Sequence, residues 1–293
     1  MGNDPVAAAA QRLTGDASIE VTPRETATLD EVAGVLPAGT SVFVTDLAPL
    51  GLEPSLDAAR RIAGHGLRPV VHLAVRSIPD LPALDRTLGR LADAGVADLL
   101  LIAGSRAPAG AVENTIQVLE SEAFRRRRFA SVGVAGHPEG NPGVDEGAVD
   151  HALARKDKIA REEGLRLYVV TQFAFAADPV LGWERRMRDA GITLPVRVGL
   201  PGLTSPARLL KFGLSCGVGP SLAVLRKQTG SVLKLATTRT YRPAETLLGL
   251  ARAVAADPEN LISGVHFFPF GAVVPTARWA RAIAEGGPVT DGE

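Results

Sequence analysis

The chain is expected to fold as one α/β domain over residues 1–293, a (β/α)8 TIM barrel. Three observations predict it. Eight short apolar, β-branched runs recur at 18–21, 41–45, 69–75, 99–103, 130–136, 167–173, 196–200 and 264–268. Most are separated by amphipathic stretches of helix length, and near-continuous apolar strands alternating with helices imply a parallel sheet covered on both faces. The runs end in polar or turn-forming residues, as barrel strands do where they emerge at the ligand-binding face. Eight such units in 293 residues match a closed barrel better than an open doubly wound sheet.

The elements follow in order. Residues 1–16 are expected to form an N-terminal helix before the first strand. The stretch 55–63 carries apolar residues at helical spacing and stops near Gly64 and Gly66. At 82–94, Leu84, Leu88 and Leu91 share one side before Gly95 ends the helix. A charged helix at 148–163 leads to Gly164 and the sixth strand. After that strand, 179–190 has a stripe of Leu181, Trp183 and Met187, with Gly191 as its stop. The spacing then widens. Helices are expected at 206–212 and 221–227 around a turn at 217–220, followed by a strong helix at 244–256. A helical insertion between strands seven and eight is therefore predicted, and 286–293 reads as a frayed tail.

Composition narrows the partners. Hydrophobic residues make up 46%, enough for a sizeable core, and 32 basic residues balance 32 acidic ones. A net charge of zero argues against a general nucleic-acid or acidic-membrane binder. The one concentrated basic run, Arg125-Arg126-Arg127-Arg128, reads as a solvated helix end. Cys216 is alone, which excludes an internal disulfide framework and fits a reducing compartment. Met1-Gly2-Asn3-Asp4-Pro5 lacks the pattern of a secretory signal, and no apolar run approaches the ~20 residues of a membrane span. A cytoplasmic protein is expected, with no membrane partner and with outer helices through which a homo-oligomer would form.

The ends of the predicted strands collect Glu20, Thr45 with Asp46, His72, Ser105 with Arg106, His137 with Glu139, Gln172, and the Pro201-Gly202 turn. In a barrel these ends share one face, which holds the active site. Glu20 lies between Ile19 and Val21 in a strand that should be buried, where a carboxylate is costly unless paired or functional. It is the candidate acid. His72 reads equally as a satisfied core histidine, and a buried Gln172 needs either a ligand or a neighbouring backbone as partner. There is no GxGxxG after a strand, no P-loop, no HExxH and no Gly-x-Ser-x-Gly elbow. His72, His137, Glu139 and His266 lack the close spacing of familiar metal sites, so no metal is expected. The mouth suits a polar, heterocyclic ligand.

At these residues the chain resembles the methylenetetrahydrofolate reductase family, from about Ser18 to Arg281. Ser18-Ile19-Glu20-Val21-Thr22-Pro23-Arg24 is similar to the family's first-strand FEFFPP signature, and Phe43-Val44-Thr45 to its VTxGA element. Val71-His72-Leu73 resembles the third strand, and Ala135-Gly136-His137-Pro138-Glu139-Gly140-Asn141-Pro142 the loop after the fifth. Thr171-Gln172-Phe173, Val198-Gly199-Leu200-Pro201 and Gly264-Val265-His266-Phe267-Phe268 resemble the sixth, seventh and eighth strands. The motifs are collinear over the eight units.

The resemblance implies a barrel that holds FAD at its strand ends and passes a hydride from NADH or NADPH through the flavin to methylenetetrahydrofolate. It implies that Glu20 is the general acid and that Gln172 hydrogen-bonds the folate substrate, with Ser105 at the substrate position after the fourth strand. It implies flavin contacts for Thr45, His72, His137 and Asn141, and a place near the flavin phosphates for Lys158, or for Lys156 if the gap falls differently. The family's fourth strand ends in Arg-Gly-Asp, whereas this chain has Ala103-Gly104-Ser105. The family's final Thr-Leu-Asn-Arg is here Pro269-Phe270-Gly271-Ala272. These departures leave two alternatives open, a flavin-free folate one-carbon enzyme and a non-catalytic barrel that binds folate or nucleotide.

Overall fold

The computed structural model describes residues 4–46, 51–141, 144–205, 208–209 and 240–289. Eight parallel strands close into a barrel in sequence order, as predicted. They are β1 Ser18–Val21, β2 Ser41–Val44, β3 Arg68–Ala74, β4 Asp98–Ile102, β5 Ser131–Gly136, β6 Leu167–Phe173, β7 Val196–Pro201 and β8 Ile262–Phe268. The apolar runs become strands because both faces are covered: the first four residues of β4 and of β5 are all buried.

The helices among the described residues are α1 Pro5–Gly15, α2 Thr26–Ala33, α3 Glu53–Gly64, α4 Leu81–Asp93, α5 Thr115–Glu120, α6 Glu122–Arg125, α7 Glu146–Glu163, α8 Ala177–Asp189, α9 Ala244–Ala256 and α10 Val273–Ala284. Starts are capped where the sequence offers a short acceptor. Asp4 accepts from Val6 N–H at 2.9 Å ahead of α1, and Asp80 from Ala83 N–H at 2.7 Å ahead of α4. The sequence pattern predicts none of α2, α5, α6 or α10. The first three are too short to carry an apolar stripe, and α5 depends instead on an Asn114–Gln117 capping box. α10 opens on Val273-Val274-Pro275, which reads as strand and turn. The expected helices at 206–212 and 221–227, the turn at 217–220 and Cys216 lie outside the described residues, apart from Arg208 and Leu209.

The arginine run is a helix end, and it is tied down. Arg125 closes α6 and pairs with Glu163 at 3.0 Å, while Arg126 and Arg127 both meet Asp85.

Contacts gather the chain into two compact units. The first comprises 20–135 and 150–169. Its fully buried side chains include Phe43, Leu84, Leu88, Leu91, Leu99 and Leu101. At the start of β4, Asp98 accepts Nε–H and Nη2–H of Arg68, each at 2.5 Å, and the Ser131 hydroxyl at 2.5 Å.

The second unit comprises 1–19, 136–149 and 170–293. In it α1 packs on α9 and α10. Phe173, Phe175 and Leu209 form a core onto which Tyr241, Phe268 and Phe270 pack. Arg197 of β7 binds the Asp16 carboxylate and carbonyl, each at 2.5 Å. Gly199 of β7 is required by its surroundings: a Cβ there would lie 2.5 Å from Thr171 O and 2.7 Å from Gln172 O, both backbone atoms. Gly199→Ala is therefore expected to lower stability by ~1–3 kcal/mol, the range for overpacking, as read by urea denaturation.

Candidate active site

In the first unit the fold brings together two predicted residues that are far apart in sequence. Glu20 is the third residue of β1 and His72 the fifth of β3. His72 Nε2 lies 3.7 Å from Glu20 Oε2, with the side chains 8% and 19% exposed respectively. The imidazole also meets the Phe43 ring edge-on at 5.8 Å. Burial pushes the Glu20 carboxyl up to about 7, which outweighs the opposing pull of His72; Glu25 adds to the rise. A carboxyl that titrates there is still substantially protonated at neutral pH and can donate.

This shift carries a stability consequence. Between pH 4.5 and about 7 the folded chain holds a proton that the unfolded chain has released. Stability from this group therefore falls as pH rises through that window. Glu20→Gln cannot ionise, so relative to the native protein it is expected to gain about 3 kcal/mol between pH 4 and pH 8. Urea titrations across the pH range read the difference directly.

The other predicted residues of this unit have varied settings. The Thr45 hydroxyl donates to Val21 O at 3.4 Å, beside the Thr45 N–H bond to the same oxygen at 3.0 Å. Ser105 and Arg106 are exposed beyond the end of β4. Lys158 is exposed on α7 and pairs with Glu162 at 3.6 Å. Lys156, two positions earlier, is half-buried, and burial lowers its ammonium to about 8.

A cavity of about 230 Å³ opens within the same unit, with little sign of it in the sequence. Its polar lining is Asp46, Ser55, His72, Ser77 and Thr87. Asp46 Oδ2 accepts from Ala74 N–H at 3.0 Å, which joins the end of β2 to the end of β3. Ser55 and Thr87 belong to amphipathic helices, where hydroxyls read as part of a solvated face; only the packing turns them inward.

In the second unit, His137 follows β5 directly and is half-buried, as are Glu139 and Asn141 in the same loop. Gly140 N–H donates to His137 O at 3.0 Å and closes that turn. Gln172 is the penultimate residue of β6 and half-buried, and its carboxamide makes no hydrogen bond among the described residues. His266 is fully buried in β8, with Nδ1 2.9 Å from the Ser18 hydroxyl. Burial, reinforced by Arg197, lowers its imidazole to about 3, so it is neutral at physiological pH. Phe270, just past β8, holds φ +49° and stacks on Phe268, a backbone conformation that bulky residues seldom adopt. Among the described residues no group of three or more His, Cys, Asp or Glu side chains is placed to hold a metal ion. Nor is any described helix long and apolar enough to cross a membrane.

No family model matches the chain. Solved structures similar to it include dihydropteroate synthase from Thermus thermophilus, at 15% identity and TM-score 0.45 over 92% of each chain. Dihydropteroate synthase from Yersinia pestis, solved with a pterine-sulfa conjugate, matches at 15% identity and TM-score 0.48 over 94% of each chain. A conserved protein of unknown function from Enterococcus faecalis matches at 14% identity and TM-score 0.49, over 92% of this chain and 65% of that one. The two with a named activity are synthases, not methylenetetrahydrofolate reductases. At such identities and TM-scores the likeness carries no argument about what this chain does.

Proposed function

We propose that this barrel reduces 5,10-methylenetetrahydrofolate to 5-methyltetrahydrofolate with NADH or NADPH as donor, and that Glu20 is its general acid. One observation carries the reading: a carboxyl at the position of the family's acid, buried in β1 against His72 and titrating near neutrality. Glu20 donates its proton to N10 of the substrate, the bond from the methylene carbon to N10 breaks, and an iminium forms at N5. A hydride from the nicotinamide then adds to the methylene carbon and gives the methyl group. Glu20 recovers a proton from solvent. The resemblance assigns Gln172 to the substrate, and its uncommitted carboxamide suits that role.

Direct transfer from the nicotinamide is the form of the reaction that these residues favour. The flavin set that the resemblance implies matches poorly in its details. The Thr45 hydroxyl is engaged by Val21 O, Ser105 stands where the family has an aspartate, and Lys158 is exposed and paired with Glu162. The hydride therefore passes straight from the nicotinamide to the methylene carbon.

Purified protein is expected to oxidise NADH or NADPH in a folate-dependent way while showing no flavin absorbance from the near ultraviolet to the blue. A bound yellow flavin whose addition restores turnover supports the flavin-relayed form instead. Folate binding with no oxidation of either donor, with or without FAD, supports the non-catalytic barrel and sinks the reductase reading.

A further inference from the structure

The cavity beside His72 has the attributes of a ligand site. It lies wholly within the unit formed by 20–135 and 150–169, and of its lining residues the resemblance gives a role to His72 alone. Its hydrogen-bonding inventory is unbalanced. Ser55 is only 4% exposed, yet its hydroxyl makes no hydrogen bond among the described residues. The Thr87 hydroxyl makes none either. Ser55 is a buried residue and Thr87 a half-buried one, and neither hydroxyl is committed to a protein partner, so both are open to whatever enters the cavity. The Asp46 carboxylate uses one oxygen on Ala74 N–H, which leaves the other free to accept.

This lining defines what fits. A single carboxylate with no cation among the described lining residues disfavours anions. Leu52, Leu73, Ile78 and Pro79 supply apolar wall, which suits a ring more than a small hydrated ion. The open Asp46 oxygen asks for an N–H or NH2 donor, and the hydroxyls can donate to an adjacent carbonyl. A volume of about 230 Å³ is below that of most drug-sized sites and holds one ring system, not a whole dinucleotide. His72 lines the cavity and contacts Glu20, so a ring seated there lies one imidazole away from the acid.

We propose that this cavity binds a neutral nitrogen heterocycle through an amide-type edge, with Asp46 accepting from its N–H groups and Ser55 and Thr87 bonding its carbonyl. The choice of ring rests on the function proposed above: the pterin of folate and the nicotinamide of the donor both carry such an edge. The cavity itself does not depend on that choice.

Calorimetry with 6-hydroxymethylpterin and, separately, NADH distinguishes the two sources. The native protein is expected to bind both probes and to seat one of them in this cavity, and Asp46→Asn to weaken that one at least ~10-fold. The carboxamide oxygen of that variant can still accept from Ala74 N–H, so the fold is retained, and an unchanged melting temperature confirms it. Ser55→Leu, which fills the cavity, is expected to weaken the same ligand and leave the other unchanged. The proposal is overturned if the native protein binds neither probe, or if both variants bind as the native protein does. If the variants bind normally while Glu20→Gln loses turnover, the site fails and the reductase reading stands. If the ring binds through Asp46 and Ser55 but nothing is turned over, the reductase reading fails and the site stands.

Discussion

Glu20→Gln is expected to lower folate-dependent oxidation of the nicotinamide donor by ~10²–10⁴-fold, the usual worth of a general acid. The amide keeps the size and much of the hydrogen bonding of the carboxyl but carries no transferable proton. The loss should therefore fall on kcat, with folate binding within a few-fold of native. In the native protein, turnover should decline as pH rises past about 7, where the carboxyl gives up its proton. The residual activity of Glu20→Gln should lack that decline. Steady-state rates from pH 6 to 9 test both statements, and a variant with native turnover removes Glu20 from the chemistry.

A large expected loss of stability belongs to the opposite end of the strands. Asp98 is 3% exposed and binds Arg68 through two N–H groups, together with the Ser131 hydroxyl. It ties together the starts of β3, β4 and β5, away from the strand ends that carry the site. Removing one partner of a buried pair commonly costs about 3–5 kcal/mol. Arg68 is 41% exposed and can regain water, which places Asp98→Ala near the lower end, at about 3 kcal/mol. Chemical denaturation should show that loss, and the KM for folate well below the melting temperature should be unchanged.

The barrel was legible because its strands are buried on both faces: an uninterrupted run such as Leu99-Leu100-Leu101 has few other uses. Glu20 was legible for the same reason, as a charge in the middle of such a run. Its pairing with His72 was not. His72 sits two strands further along the chain, and only closure of the sheet sets the two side chains against each other. The two lysines show a finer limit. Positions 156 and 158 fall on nearly opposite sides of a helix. The charged sequence of α7 has too weak an apolar stripe to show which side faces inward, so the half-buried Lys156 could not be told from the exposed Lys158. Ser55 and Thr87 were hidden for a related reason, since a hydroxyl that points into a cavity and one that points into water have the same letters around them.

The buried histidine of β8 bears on how the protein exchanges protons with its buffer. His266 is held neutral down to about pH 3, so on unfolding in mild acid it takes up a proton, whereas Glu20 releases one. Between pH 4.5 and 6.5 the two transfers oppose each other, and their joint contribution to the proton balance of unfolding is close to zero. A flat stability profile in that range is thus two slopes of opposite sign. Glu20→Gln removes one of them, and unfolding enthalpies measured in buffers of different ionisation heat should then report a net uptake of about one proton.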